Sequence, residues 1–194
     1  MKVVLDIETD GFNPSKIHCI VAKDIDTNIV YVWDSSNMYG FKSWAKDVDK
    51  FIMHNGLSFD APVLNKLLDA DILPGNIVDT LILSQLFNPI REKGHSLKAW
   101  GEKLNMLKGG KDVNFFKYNQ AMLDYCKQDV EITHAVYNEL KKESKGFTKE
   151  SIDLEHDIRL ILDQQEKNGF AFNIRKAQEL LAKLKDDIYD LEQW

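Results

Sequence analysis

Residues 3–12 read VVLDIETDGF. Val3, Val4, Leu5 and Ile7 make this a buried strand, and the strand carries two acids, Asp6 and Glu8. In extended chain, residues i and i+2 point to the same face. Asp6 and Glu8 therefore project together and repel unless a cation lies between them. A strand end fraying into a solvated acidic turn has the same pattern, so the pair alone is a weak signal. Two further stretches change its weight. Residues 54–64, HNGLSFDAPVL, place Asp60 after Phe59 where a short apolar run gives way to a helix with Pro62 in its first turn. An N-cap aspartate there would need no chemistry. Residues 124–133, DYCKQDVEIT, place Tyr125 and Asp129 four apart, on one helix face. A half-buried surface pair would look the same. The three patterns in this order form a set: an acidic pair ending a strand, an acid at a helix start, and Tyr-x-x-x-Asp on a later helix. Carboxylates gathered this way are a cage for two hard divalent cations, the apparatus for cutting phosphodiester bonds.

Working outward, residues 17–22 and 29–33 are β-rich runs separated by a polar turn at 23–28, which suggests a meander. Residues 38–49 have helical spacing, with Phe41, Trp44, Ala45 and Val48 on one stripe. Short strands are expected at 51–53 and 77–79, and helices from Asp60 or Ala61, at 80–87 and at 97–104, the last capped by Ser96. GGKDVN at 109–114 reads as a loop. Residues 118–142 read as helical, with a break expected near Lys127. Early strands followed by alternating helices predict an α/β domain, a mixed central sheet flanked by helices, ending near Gly146. The remainder predicts a C-terminal helical extension: one helix at 149–167, the break NGFAFN, and a second helix capped by Asn173. In that second helix Ala177, Leu181, Leu184, Ile188 and Leu191 recur at spacings of four and three. Two helices cannot bury such a seam alone. It predicts packing on the main domain, self-association, or docking on a separate chain.

The chain has 194 residues, 44% apolar and 29% charged, an ordinary globular composition. No apolar run approaches the ~20 residues of a membrane span, so no membrane partner is expected. The chain opens directly on a strand, so no signal peptide is expected, and Cys19 and Cys126 lack metal-ligand spacing. A reducing cytoplasm with two free thiols is the expectation. The net charge of −6 is unusual for a protein that meets nucleic acid. Locally the balance reverses: Arg91, Lys93, Lys98, Lys103, Lys108 and Lys111 face only Glu92 and Glu102. This basic segment would suit a phosphate backbone, or be a solvated face.

Taken together, DIET, HNGLSFD and YCKQD resemble the three motifs of a 3′–5′ exonuclease of the DEDD superfamily. Asp rather than His at position 124, with Tyr at 125, matches its tyrosine subclass. The resemblance covers residues 1 to about 145. It is finer still to the proofreading domain of phage family A DNA polymerases of the T-odd podophage kind, carried by DTLILSQL at 79–86, GHSLKAWGEKL at 94–104 and LEHDIRLILDQQEKNGFAFN at 154–173. It implies a ribonuclease H-like fold, an exonuclease domain at 1–145 and, at 146–194, two helices resembling the start of a polymerase domain. It also implies metal-dependent removal of 3′-terminal nucleotides from single-stranded or frayed DNA in phage replication, within the host cytoplasm. Asp6, Glu8, Asp60 and Asp129 would hold two Mg²⁺, with Mn²⁺ able to substitute. Tyr125 would orient the attacking water, since a phenol ionising near pH ~10 is a poor base. Phe12 would stack on the terminal base, or be ordinary core. Thr9 would contact the terminal nucleotide, and His95 would be structural. His54 and Asn55, in the loop before Asp60, would bond a sugar or phosphate of the substrate or else the loop's own backbone. The alternative is a non-catalytic or split-polymerase subunit that docks a separate polymerase chain through its C-terminal helices.

Overall fold

The computed structural model describes residues 1–106 and 117–193. Five strands are present among them: β1 (Lys2–Thr9), β2 (Ile17–Asp24), β3 (Val30–Trp33), β4 (Lys50–Met53) and β5 (Ile77–Asp79). They form one sheet in the order β3-β2-β1-β4-β5. β3, β2 and β1 pair antiparallel as the expected meander, while β4 and β5 join parallel to β1. The meander turns where Asp24 accepts the N–H groups of Asp26 (2.8 Å) and Thr27 (3.3 Å), and Asn28 takes the left-handed conformation at φ 59°.

Alternation along β1 divides the core. Val3, Leu5 and Ile7 pack on one face with Phe41, Ala61 and Leu64. Val4 packs on the other with Met122, Cys126 and Val130. These last three belong to α5 (Gln120–Glu143), which follows α1 (Phe41–Ala45), α2 (Asp60–Leu68), α3 (Thr80–Phe87) and α4 (Leu97–Lys103). Each fully buried aliphatic side chain contributes roughly 1.5–3 kcal/mol, so the two layers hold the sheet between them.

Two expectations need correction. The helix read at 38–49 is only a 3₁₀ turn at Met38–Gly40 followed by the five residues of α1. The N–H of Val48 bonds back to the Ala45 carbonyl, and that of Asp49 pairs with the Met1 carbonyl, so the chain leaves the helix to meet the sheet. The periodicity was real in burial but not in backbone: Phe41, Trp44 and Trp33 form one aromatic cluster, with 4.6 Å between the two indole centroids. The break expected near Lys127 does not occur. α5 runs unbroken for 24 residues from its cap, where the Asn119 side chain accepts the Met122 N–H at 2.9 Å. It contains neither Gly nor Pro, and it buries residues along its whole length against β1, β2, α3 and α4. The GGKDVN loop, Lys108 and Lys111 lie outside the described residues.

The chain divides into two compact units, the first ending at Ile161 and the second beginning at Leu162. α6 (Lys149–Asn168) starts in the first. The second holds the end of α6 and α7 (Ile174–Glu192), capped by Asn173, whose side chain accepts the Lys176 N–H at 2.9 Å. Along α7 the seam stands exposed: Leu181, Leu184, Ile188 and Leu191 are each about half or more open.

Candidate active site

The ladder between β1 and β4 stops at Val4, paired with Ile52. Beyond it the two parallel strands part, and β1 continues alone on that side through Asp6 and Glu8. Both acids share the face of Val4, the face covered by α5. One ligand atom from each of Asp6, Glu8 and Cys126 lies within 4.8 Å of the others. One turn further along α5, Asp129 is buried, and Tyr125 is half-buried one turn before it. Asp60 opens α2 and is buried, and the backbone N–H of Ile7 acts to lower its pKa.

The electrostatics bind these groups into one site. Burial pushes the Asp6 carboxyl well above its ordinary range, and Asp60, Asp129 and Glu8 push it further. Asp60 is raised to about 7, first by burial and then by Asp79. Carboxylates that raise one another in this way favour a cation among them. The oxygen donors fit a hard divalent metal: Asp6 and Glu8 lie within 4.8 Å of each other, while Asp60 and Asp129 stand outside that group but near enough to raise Asp6. Cys126 is no thiolate competitor. Burial, the Cys19 thiol and Asp6 raise its pKa, so it stays a thiol and donates to Asp6, with Sγ 3.4 Å from both the carbonyl and Oδ2.

A family model described as 3′–5′ exonuclease matches residues 2–145. The chain belongs to the 3′–5′ exonuclease family. Members of this family use divalent metals, as the carboxylate cluster requires. The chain is 28% identical to the DNA-directed DNA polymerase of Escherichia phage T7 over 94% of its own length and 35% of the relative's. Against the corresponding enzyme of Enterobacteria phage T3 it is 26% identical, with the same coverage. It therefore spans about a third of the length of the curated relatives it matches. The expected kinship with phage polymerases is thus observed. Among solved structures, Escherichia coli RNase D, an exoribonuclease involved in structured RNA processing, aligns with a TM-score of 0.61 at 17% identity, over 88% of this chain and 46% of that one. That likeness is one of fold, and the ribonuclease H-like fold is the one observed.

Within the exonuclease domain the other residues singled out from sequence divide. Phe12 is 99% exposed on the loop after β1, so it is not core. Thr9 is buried, and its hydroxyl donates to the Gly11 carbonyl at 2.9 Å. His54 Nδ1 lies 2.9 Å from Thr80 Oγ1, and the Asn55 N–H donates to Asp79 at 2.9 Å. His95 Nδ1 lies 2.8 Å from Ser84 Oγ. The basic segment is largely matched inside the fold. Arg91 pairs with Glu143 and lies 4.5 Å over the Trp100 ring, Lys103 stacks at 4.5 Å on the same ring, and Lys93 pairs with Glu102 at 3.1 Å. Sequence reading missed three residues: Cys126, Asp79 and Thr80. Cys126 lies three residues before Asp129, which places it on the same helical face. Asp79 stands at a strand-to-helix junction, where an aspartate caps.

Proposed function

We propose that this chain hydrolyses the 3′-terminal phosphodiester bond of single-stranded or frayed DNA, releasing nucleoside 5′-monophosphates, as the proofreading activity of a phage replication polymerase. The observation that carries the reading is the group of half-buried Asp6 with buried Glu8, Asp60 and Asp129, all acting electrostatically on Asp6. These four would hold two Mg²⁺, with Mn²⁺ substituting, because a small, hard, oxygen-seeking ion suits four carboxylates and no thiolate. When bound, the ions would supply Lewis-acid polarisation of the phosphate and neutralise charge on the attacking and leaving oxygens. Tyr125, on the Asp129 face of α5, would hold the attacking water by a hydrogen bond. The Cys126 thiol would keep Asp6 oriented. Phe12 offers an uncovered ring to the terminal base, and such stacking contributes ~1–3 kcal/mol without regard to sequence. Thr9, His54 and Asn55 would contact the terminal nucleotide from the loops that lead out of β1 and into Asp60.

The test is direct. The purified chain with Mg²⁺ or Mn²⁺ shortens a 5′-labelled single-stranded oligonucleotide from its 3′ end one nucleotide at a time, and chelation stops it. A folded protein that leaves the oligonucleotide intact sinks the proposal. Offered RNA in parallel, the chain prefers DNA.

The exposed seam of α7 supports a companion proposal: a polymerase body, or a second copy of the chain, covers it. Co-purification with a polymerase chain and light scattering of the chain alone distinguish the two, and a monomer that binds neither removes both. No helix among the described residues is long and apolar enough to cross a membrane. The place of action proposed with phage replication is the host cytoplasm.

A further inference from the structure

Two adjacent side chains at the β5–α3 junction hold the loop that delivers Asp60. Asp79 is almost wholly buried and accepts the backbone N–H groups of Asn55 at 2.9 Å and Leu57 at 3.0 Å, besides that of Leu81 at 2.9 Å where it caps α3. Thr80 Oγ1 donates to the Met53 carbonyl at 3.0 Å and meets His54 Nδ1 at 2.9 Å. Residues 53 to 57 are thus tied at four points to two neighbouring residues.

The loop needs external support. Asn55 sits in the left-handed region at φ 65°. Gly56 lies so close to Met53 that a Cβ there would stand 2.2 Å from the Met53 Cβ. Strained backbone of this kind persists only when its surroundings fix it. The carboxylates add a second load, because Asp60 is repelled by Asp6 and by Asp79 itself, so that the hydrogen bonds must hold it against both.

α6 supports the loop from a third direction. His156 Nε2 accepts the Asp79 N–H at 3.0 Å, while its Nδ1 lies 2.8 Å from the Ile152 carbonyl. Both contacts are satisfied only by the neutral ring with its proton on Nδ1. Arg159 Nε donates to Ser58 Oγ at 2.8 Å, two residues before Asp60. Both residues lie beyond the 2–145 span of the family match.

We propose that Asp79, Thr80, His156 and Arg159 form a brace that holds Asp60 in the carboxylate cluster against its own repulsion. All four are positioning residues for the reaction proposed above, and the inference rests on that reading. It extends the working exonuclease unit past residue 145 into α6.

The test uses the full chain and two variants, Thr80→Val and the double change His156→Ala with Arg159→Ala. Asp79→Asn is a poorer probe, because its amide would face the Leu57 N–H and threaten folding. Mn²⁺ binding to the DNA-free protein is measured by calorimetry, beside the Mn²⁺ dependence of cleavage and amide exchange at 55–58. Loss of the brace weakens Mn²⁺ affinity by about 10–100-fold, the usual effect of removing outer-sphere support. The half-activating Mn²⁺ concentration rises in step, kcat at saturating Mn²⁺ recovers, and the Asn55 and Leu57 amides exchange faster. Restoring an acceptor with His156→Gln, in the Arg159→Ala background, regains part of the affinity. Folded variants with native Mn²⁺ affinity and native exchange overturn the brace. So does a fall in kcat with Mn²⁺ affinity unchanged. A native chain that binds Mn²⁺ but cuts no DNA overturns the proposed function instead, and leaves the affinity comparison to judge the brace.

Discussion

α5 and α7 are both long helices with a regular apolar stripe, and their fates differ. Leu140 on α5 is fully buried, whereas Leu184 on α7 is 48% exposed. Periodicity marks a face that favours cover; it does not name the cover. On α5 the stripe meets a sheet, and the polar residues that interrupt it, Cys126 and Asp129, are carried with it into the low-dielectric gap beside Asp6. On α7 the same pattern carries no polar residue to a site.

The strongest way to break this comparison is Asp129→Ala. Removing a proposed ligand from α5 lowers cleavage by well over ~100-fold, beyond the range for outer-sphere support, while circular dichroism and melting temperature stay native. Next comes a matched pair of truncations. Leu140→Ala destabilises the fold by about 2–5 kcal/mol, and Leu184→Ala by less than ~0.5 kcal/mol, both read from urea unfolding of the isolated chain. A large loss at Leu184 would show that the seam is covered in solution. Tyr125→Phe keeps the ring and removes the hydroxyl, so kcat falls by about tenfold with metal affinity unchanged; an unaltered rate would take the hydroxyl out of the mechanism.

A separate effect is a pH dependence. The Asp60 carboxyl is raised to about 7 in the fold, by burial and then by Asp79, above its ordinary value of 3.8. Between those values the folded state binds the proton that the unfolded state has lost. In chelator, stability is therefore highest at low pH within this window and falls as pH rises towards 7. Asp60→Asn flattens that slope in a thermal melt series, and Mn²⁺ does the same for the native chain by replacing the proton as the balancing charge. A slope that Asp60→Asn leaves untouched would assign the proton elsewhere.

Much of the site was legible in the sequence because its acids carry local signatures: a strand period for Asp6 and Glu8, a helix start for Asp60, a helical turn for Tyr125 and Asp129. The mixed sheet followed from a meander joined to alternating strands and helices. What stayed hidden depends on groups distant along the chain. Asp79 meets Asn55 from 24 residues away, and His156 meets Asp79 across 77. Arg91 finds Glu143 across 52 residues, a pairing that the local run of positive charge does not reveal. Cys126 shows no ligand spacing in the sequence; only the fold brings its thiol beside Asp6 and Glu8, where it donates to Asp6. The helix expected at 38–49 fails for a related reason: the aromatic stripe was read as helix period, and tertiary packing satisfied it with one short helix and a turn.

The early parting of β1 from β4 has one more consequence. A sheet gains stability from each added rung, and here the next rungs would need the backbone of β1 beyond Val4. That stretch also carries Asp6 and Glu8 of the proposed ion site. Sheet and cage therefore draw on the same stretch of main chain. A longer β4, the obvious route to a sturdier protein, would zip the gap shut and leave the four acids with no room for an ion. Sturdiness at this edge and the capacity to cut are alternatives written into a single strand, and the short β4 is the choice between them.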